Sequence, residues 1–178
     1  MGGVDRDNYT QRILTVLNKC KLGNSSRIVI VLGKSSPWID EIRNFSQSCD
    51  YDIEVLVGVD NMAELMFDAH LAFGAAGVTS WERCCLGLPS LCFVIAENQR
   101  IGSIGLQKSG AIIVMDIDTF SPEILQSKLD NLKNAEIYEL MQSNCLKIVD
   151  GHGVNRVISA FSELMHEFPN ISSETMPS

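Results

Sequence analysis

Between Gly74 and Glu82 the chain reads GAAGVTSWE, set between two apolar runs, DAHLAF before it and RCCLGLPSLCFVI after it. Glycine lets a ligand approach the backbone closely. Gly74 to Gly77 read as a turn and Thr79 as a helix start, where exposed backbone N–H groups and the helix dipole make a seat suited to phosphate. Thr79 and Ser80 add hydroxyl donors, and Glu82 is placed to accept from two neighbouring hydroxyls of a ribose. The same T-x-x-E spacing is also a capping box, in which Glu82 bonds back to the helix start. Residue chemistry alone leaves both readings open.

Two further segments carry comparable ambiguity. Gly2 and Gly3, ahead of Val4-Asp5-Arg6-Asp7-Asn8, form either a close-approach turn with Asn8 as a ligand contact or a plain turn with Asp7 or Asn8 as helix cap. Asn98 and Gln99 follow the apolar run SLCFVI and suit a sugar, a phosphate or a helix cap. The P-loop pattern, G-x-G-x-x-G and G-x-S-x-G are all absent. His70, His152 and His166 are scattered, and none of the six cysteines forms a C-x-x-C pair, so no metal site is expected. No general base stands out, and no residue is assigned a catalytic role. Cys84 and Cys85 read as small buried apolar groups with free thiols, which fits a reducing, cytoplasmic setting.

These segments must be positioned by the elements between them. Short β-branched runs such as RIVIVL (27–32), DIEVLVG (52–58), HLAFG (70–74), SLCFVIA (90–96) and AIIVMD (111–116) alternate with stretches of helical spacing. That alternation predicts a doubly wound α/β domain with a parallel sheet, and ligands of such sheets bind outside the carboxyl ends of the strands. One domain is expected over residues 1–168, with a flexible tail over 169–178. The first predicted helix, Asp7 to Lys19, is preceded only by MGGVDR, although a glycine turn in this position normally follows a strand. The expected sheet therefore lacks its first, central strand.

The net charge of −8 argues against nucleic acid or an anionic membrane surface as partner. No apolar run reaches the ~18 residues of a membrane span, and the N-terminus has no secretory pattern.

GGVDRDN followed by VGVDNMAELMFDAHLAFGAAGVTSWERCCLGLPSLCFVIAENQ resembles the C-terminal domain of the UDP-sugar hydrolases of pseudaminic acid biosynthesis. Those enzymes are similar in fold to two-domain nucleotide-sugar glycosyltransferases of the GT-B type. The resemblance runs from Met1 to about Gly153, and TSWERCCLGLPS is its most specific string. It implies an enzyme that releases UDP from UDP-2,4-diacetamido-2,4,6-trideoxy-β-L-altropyranose, with this domain holding the UDP. Glu82 would bind the ribose; Gly77, Val78, Thr79 and Ser80 would hold the diphosphate. Val59, Asn61 and Met62 would border the uracil, Gly3 and Asn8 would contact substrate, and Asn98 and Gln99 would face the sugar. No cofactor is implied. The chain departs from the family at Ala76, where a glycine is usual. The family's catalytic histidine belongs to an N-terminal domain that would have to act with this chain in cis or in trans. None of the three histidines here matches it.

Overall fold

A computed structural model describes residues 1, 4–23 and 25–167. Gly3 and the expected tail lie outside the described residues. In chain order the elements are α1 (Tyr9–Leu17), β1 (Arg27–Leu32), α2 (Ile39–Ser46), β2 (Asp52–Val57), α3 (Met62–Phe67), β3 (Ala72–Ala75) and α4 (Thr79–Cys85). There follow β4 (Ser90–Phe93), a 3₁₀ turn (Glu97–Gln99), α5 (Arg100–Lys108), β5 (Ile112–Met115), α6 (Pro122–Leu132), α7 (Ala135–Ile148) and α8 (Gly153–Glu167).

Every strand pair is parallel, as alternating strands and helices require. The strands do not form one sheet. β1 pairs with β2, and separately β3, β4 and β5 pair in that order. No strand among the described residues joins β1 to β3. The fold class expected from the sequence is present, with the described strands divided between two parallel sheets.

Local chemistry explains the starts of three helices, α1, α6 and α7. α6 begins at Ser121, whose Oγ accepts from the Ile124 N–H at 3.4 Å, with Pro122 in the first turn where its missing donor costs nothing. Asn134 caps α7 by accepting from the Ile137 N–H at 3.2 Å. At α1 the expected cap at Asn8 forms, accepting from the Gln11 N–H at 3.3 Å. Asp5 does more there, because its two carboxylate oxygens accept from the Tyr9 and Thr10 N–H groups, each at 3.0 Å. Both Asp5 and Asn8 have positive φ, at 49° and 51°, which short polar side chains tolerate best. After β4 the 3₁₀ turn, Glu97–Gln99, runs directly into α5, Arg100–Lys108.

α1 ties the two sheets together. Its Ile13 and Leu17 join the core around Leu91, Phe93, Met115 and Leu125, while Leu14 joins a second core of Ile30, Leu32 and Ile42 against β1 and β2. Ile28 of β1 packs on both. Phe93 is fully buried and meets Phe120 edge to face, with ring centroids 5.0 Å apart. A third core of Ala76, Cys84, Cys92 and Cys145 fixes α4 and α7 to β3 and β4. α8 differs from the other helices. Its apolar stripe of Val154, Val157, Ile158, Phe161 and Leu164 is exposed along its whole length.

Candidate functional site

Parallel strands put all their carboxyl ends, and the loops that follow, on one side of each sheet. β3 ends at Ala75, and the chain turns through Ala76, Gly77 and Val78 into α4. The Ala76 N–H bonds to the Phe93 carbonyl at 2.8 Å, so the strand ladder extends into the turn and Ala76 is buried. The next bonds are tight ones, Ser80 N–H to Gly77 O at 3.0 Å and Trp81 N–H to Val78 O at 2.9 Å. The N–H groups of Gly77, Val78 and Thr79 therefore have no hydrogen-bond partner among the described residues. Val78 and Thr79 are exposed beside them. α4 has only seven residues, so its dipole is small, and the donors themselves are what an anion would meet.

The capping box does not form. Val78, not Thr79, is the N-cap residue and makes no side-chain cap bond. Glu82 is exposed, and its carboxylate makes no hydrogen bond or ion pair among the described residues. An acceptor one turn beyond three free donors is thus left uncommitted by the fold. Ser80 goes the other way. It is fully buried, and its Oγ accepts from Arg83 Nη2 at 3.0 Å and lies 3.4 Å from the Ala75 carbonyl. The hydroxyl expected on the diphosphate is instead turned into the core, because Arg83 sits beneath it.

Gln99 comes to the same turn. Its Oε1 accepts from the Ile95 N–H at 3.1 Å at the end of β4, and its Nε2 stands 3.6 Å from where a Cβ on Gly77 would lie. Asn98 beside it is exposed. Across the break in the sheet, Asn8 is committed to its cap, with Nδ2 donating to Gln11 Oε1 at 2.8 Å and to Glu41 Oε1 at 3.4 Å. Val59 and Met62 are half-buried after β2, and Asn61 donates to Glu64 Oε2 at 3.3 Å. The structure therefore gathers Gly77, Val78, Thr79, Glu82, Asn98 and Gln99 at the ends of β3 and β4, with Asn8 and Val59 to Met62 on loops of the other sheet.

Three residues escaped the sequence reading. Asp5 is the main cap of α1. Lys34, in the Gly33-Lys34-Ser35-Ser36 turn after β1, lays its stem across Gly58, where any Cβ would collide with it. It brings a positive charge to the edge of the Val59 loop, and its signal was a Gly-Lys-Ser-Ser string at a strand end. Arg83 is 5% exposed, with Nη2 also donating to the Ala75 carbonyl at 3.0 Å and lying 3.4 Å from Cys92 Sγ. Its Nε is buried without a partner. Burial pushes the Cys92 thiol pKa up, and the Cys145 thiol is likewise pushed up, first by its hydrogen bond with Cys84. Among the described residues no three His, Cys, Asp or Glu side chains gather as a metal site. No described helix is long and apolar enough to cross a membrane.

Residues 1–154 match the family described as Glycosyltransferase family 28 C-terminal domain. The chain belongs to that family. It is 22% identical over 170 residues to a spore coat polysaccharide biosynthesis protein, SpsG, of Bacillus subtilis (strain 168), covering 94% of this chain and 50% of that one. Its fold is similar to that of MurG from Acinetobacter baumannii, with a TM-score of 0.77 at 18% identity over 91% of this chain and 48% of that chain. WaaG, a glycosyltransferase involved in lipopolysaccharide biosynthesis, is similar with a TM-score of 0.64 at 18% identity over 87% of this chain and 42% of that one. The chain spans no more than half the length of these relatives. The likeness to the two solved structures establishes the GT-B type of C-terminal α/β fold.

Proposed function

We propose that this chain holds the UDP moiety of a UDP-sugar and serves as the nucleotide-binding half of an enzyme of polysaccharide synthesis. The observation that carries the reading is the turn after β3. Three unpartnered N–H donors and one unpartnered carboxylate lie within six residues, Gly77 to Glu82, and the fold uses none of them. Phosphate oxygens need such donors, and vicinal ribose hydroxyls need such an acceptor. The family match and the spore coat relative support a sugar nucleotide of a surface polysaccharide.

In the reaction we favour, water attacks the anomeric carbon of the sugar. The bond from that carbon to the diphosphate oxygen breaks, UDP leaves with the electron pair, and the free sugar carries the new hydroxyl. The developing charge on the diphosphate is met by the fixed donors of Gly77, Val78 and Thr79, electrostatic stabilisation that needs no metal or cofactor. This chain's residues bind and orient. The base that takes the proton from water comes from a further domain, in cis or in trans. The string TSWERCCLGLPS favours hydrolysis and the pseudaminic acid substrate; the glycosyltransferase family match favours transfer to an acceptor sugar instead.

Amide chemical shifts recorded during titration with UDP test the placement. The reading expects the largest shifts at Gly77, Val78 and Thr79, and shifts confined to α7 or α8 would overturn it. UDP release by the completed enzyme without any acceptor supports hydrolysis, whereas release only when an acceptor sugar is added replaces it with transfer.

A further inference from the structure

The turn after β1 carries a cation that the fold does not use. It reads Gly33-Lys34-Ser35-Ser36 and is closed by the Ser36 N–H, which donates to the Gly33 carbonyl at 3.0 Å. Ser36 is buried, and its Oγ accepts from the Trp38 N–H at 3.4 Å. Trp38 Nε1 in turn donates to the Asp5 carbonyl at 2.8 Å, so the turn is tied to the segment ahead of α1. Lys34 itself is exposed, and its ammonium takes part in no ion pair among the described residues. The nearest basic residues after β3 and β4 are committed. Arg83 is buried and donates to the Ala75 carbonyl and to Ser80 Oγ, and Arg100 pairs with Glu97 at 3.1 Å. Lys34 is therefore an uncommitted positive charge in a chain of net charge −8.

The stem of Lys34 is nevertheless held. β1 and β2 pair with Leu32 beside Val57, and the Gly58 N–H extends the ladder to the Leu32 carbonyl at 2.8 Å. Gly58 has φ of 61°, and a Cβ there would collide with Cγ and Cε of Lys34. The glycine leaves the space that the lysine stem fills. A stem laid over backbone has lost much of its rotamer freedom before any ligand arrives, and it carries the charged end to the start of the Val59 loop.

That loop has unfilled donors of its own. Val59 is half-buried, and the N–H groups of Val59 and Asp60 have no hydrogen-bond partner among the described residues. Half-buried backbone groups are normally paired, so a ligand acceptor is wanted there. The phosphate donors of Gly77, Val78 and Thr79 follow β3, in the other sheet. Beside Lys34 the half-buried side chains of Val59 and Met62 offer an apolar wall instead. A flat base with carbonyl oxygens on its rim suits such a wall better than a second phosphate, whose charge is costly to desolvate.

We propose, resting on the reading that this chain holds UDP, that Lys34 is a specificity-determining residue for the base, its ammonium donating to O4 of uracil. Cytosine carries an amino group in that place. An ammonium only donates, so it bonds the uracil oxygen and is left opposite another donor by cytosine. Discrimination of this kind comes from the unpaired donors of the wrong ligand as much as from the bond to the right one.

Lys34→Met tests this, because methionine keeps an unbranched apolar stem over Gly58 and removes the ammonium. Parent and variant are each titrated calorimetrically with UDP and with CDP, beside a thermal melt. The parent should bind UDP about tenfold more tightly than CDP, and the variant should lose about fivefold or more for UDP with little change for CDP. Unchanged UDP affinity in the variant would overturn the proposal. So would equal losses for the two nucleotides, which would put the ammonium on the diphosphate they share. No UDP binding by the folded parent would overturn the reading of the whole site, and this assignment with it. A second measurement needs no variant. Saturating UDP should slow acylation of Lys34 by an N-hydroxysuccinimide ester about fivefold or more, while Lys108, exposed on α5, keeps its rate. Equal acylation of Lys34 with and without bound UDP would overturn the proposal.

Discussion

Gly77→Ala separates folding from binding at the candidate phosphate seat. Gly77 does not occupy the left-handed region, so an alanine there carries no backbone strain. A Cβ at Gly77 would meet Gln99 Nε2 at 3.6 Å, an ordinary van der Waals contact. The fold therefore accepts the methyl, and the lower entropy of the unfolded chain should stabilise it by about 0.4–1 kcal/mol. For a domain of this size that is a rise of roughly 1–4 °C in the unfolding midpoint. Binding should respond in the opposite sense. The methyl would stand between the turn and Gln99, where a phosphate oxygen must come within ~2.9 Å of the N–H donors. Loss of one hydrogen bond to a charged oxygen costs about 1.5–3 kcal/mol, or roughly ten- to a hundredfold in affinity. The assay is a pair of measurements on one protein, a thermal melt and a UDP titration. A midpoint that holds or rises together with weakened UDP binding is expected. Unchanged UDP affinity would refute the assignment of the phosphate to this turn, and a fall in midpoint of several degrees would refute the packing argument.

Three other perturbations follow from the same geometry. Gly74→Ala should destabilise by about 1–3 kcal/mol in a denaturant melt, because its Cβ would collide with the buried Arg83 guanidinium, which has nowhere to retreat. Burial holds the Met1 amine below its usual pKa, so the folded chain favours the neutral amine. The stability linked to that amine is complete above pH ~8 and is lost as the pH falls toward the lowered folded value, a slope that N-terminal acetylation should remove from the melting curves below about pH 8. A thiol reagent should label Cys49 and Cys85 in the native protein well before Cys20, Cys84, Cys92 and Cys145, which are buried, and mass spectrometry of the peptides reads the order.

Where the sequence reading succeeded, the signal was local. RIVIVL gives β1 with the expected ends because β-branched residues bounded by polar ones have few alternatives. Ser121-Pro122 fixes the start of α6 for equally local reasons. The glycine turn and Glu82 were visible as candidates because both depend on residue type and spacing. What was hidden depends on neighbours distant in sequence. Ser80 and Thr79 are adjacent hydroxyls, yet Arg83 and Cys92 draw one into the core and leave the other in solvent. Asp5 outcompetes Asp7 as a cap because a positive φ turns its carboxylate onto Tyr9 and Thr10. The capping box at Thr79 fails because the helix is entered one residue earlier, at Val78. Lys34 was passed over because its relation to Gly58 and the Val59 loop exists only once β1 and β2 pair. The division into two parallel sheets, β1-β2 and β3-β4-β5, depends on which strands pair among the described residues.

The central claim is that the exposed, unengaged carboxylate of Glu82 is a ribose ligand. Calorimetric titration with UDP, run on the chain and on Glu82→Ala, tests it most directly. Glu82 supports no contact of the fold, so the variant should melt within about 1 °C of the parent, since exposed substitutions of this kind usually change stability by less than ~0.5 kcal/mol. Its UDP affinity should fall about tenfold or more, on the order of 1.4 kcal/mol for a lost polar anchor. Equal UDP affinity in both proteins, or no UDP binding by a folded parent chain, would contradict the account.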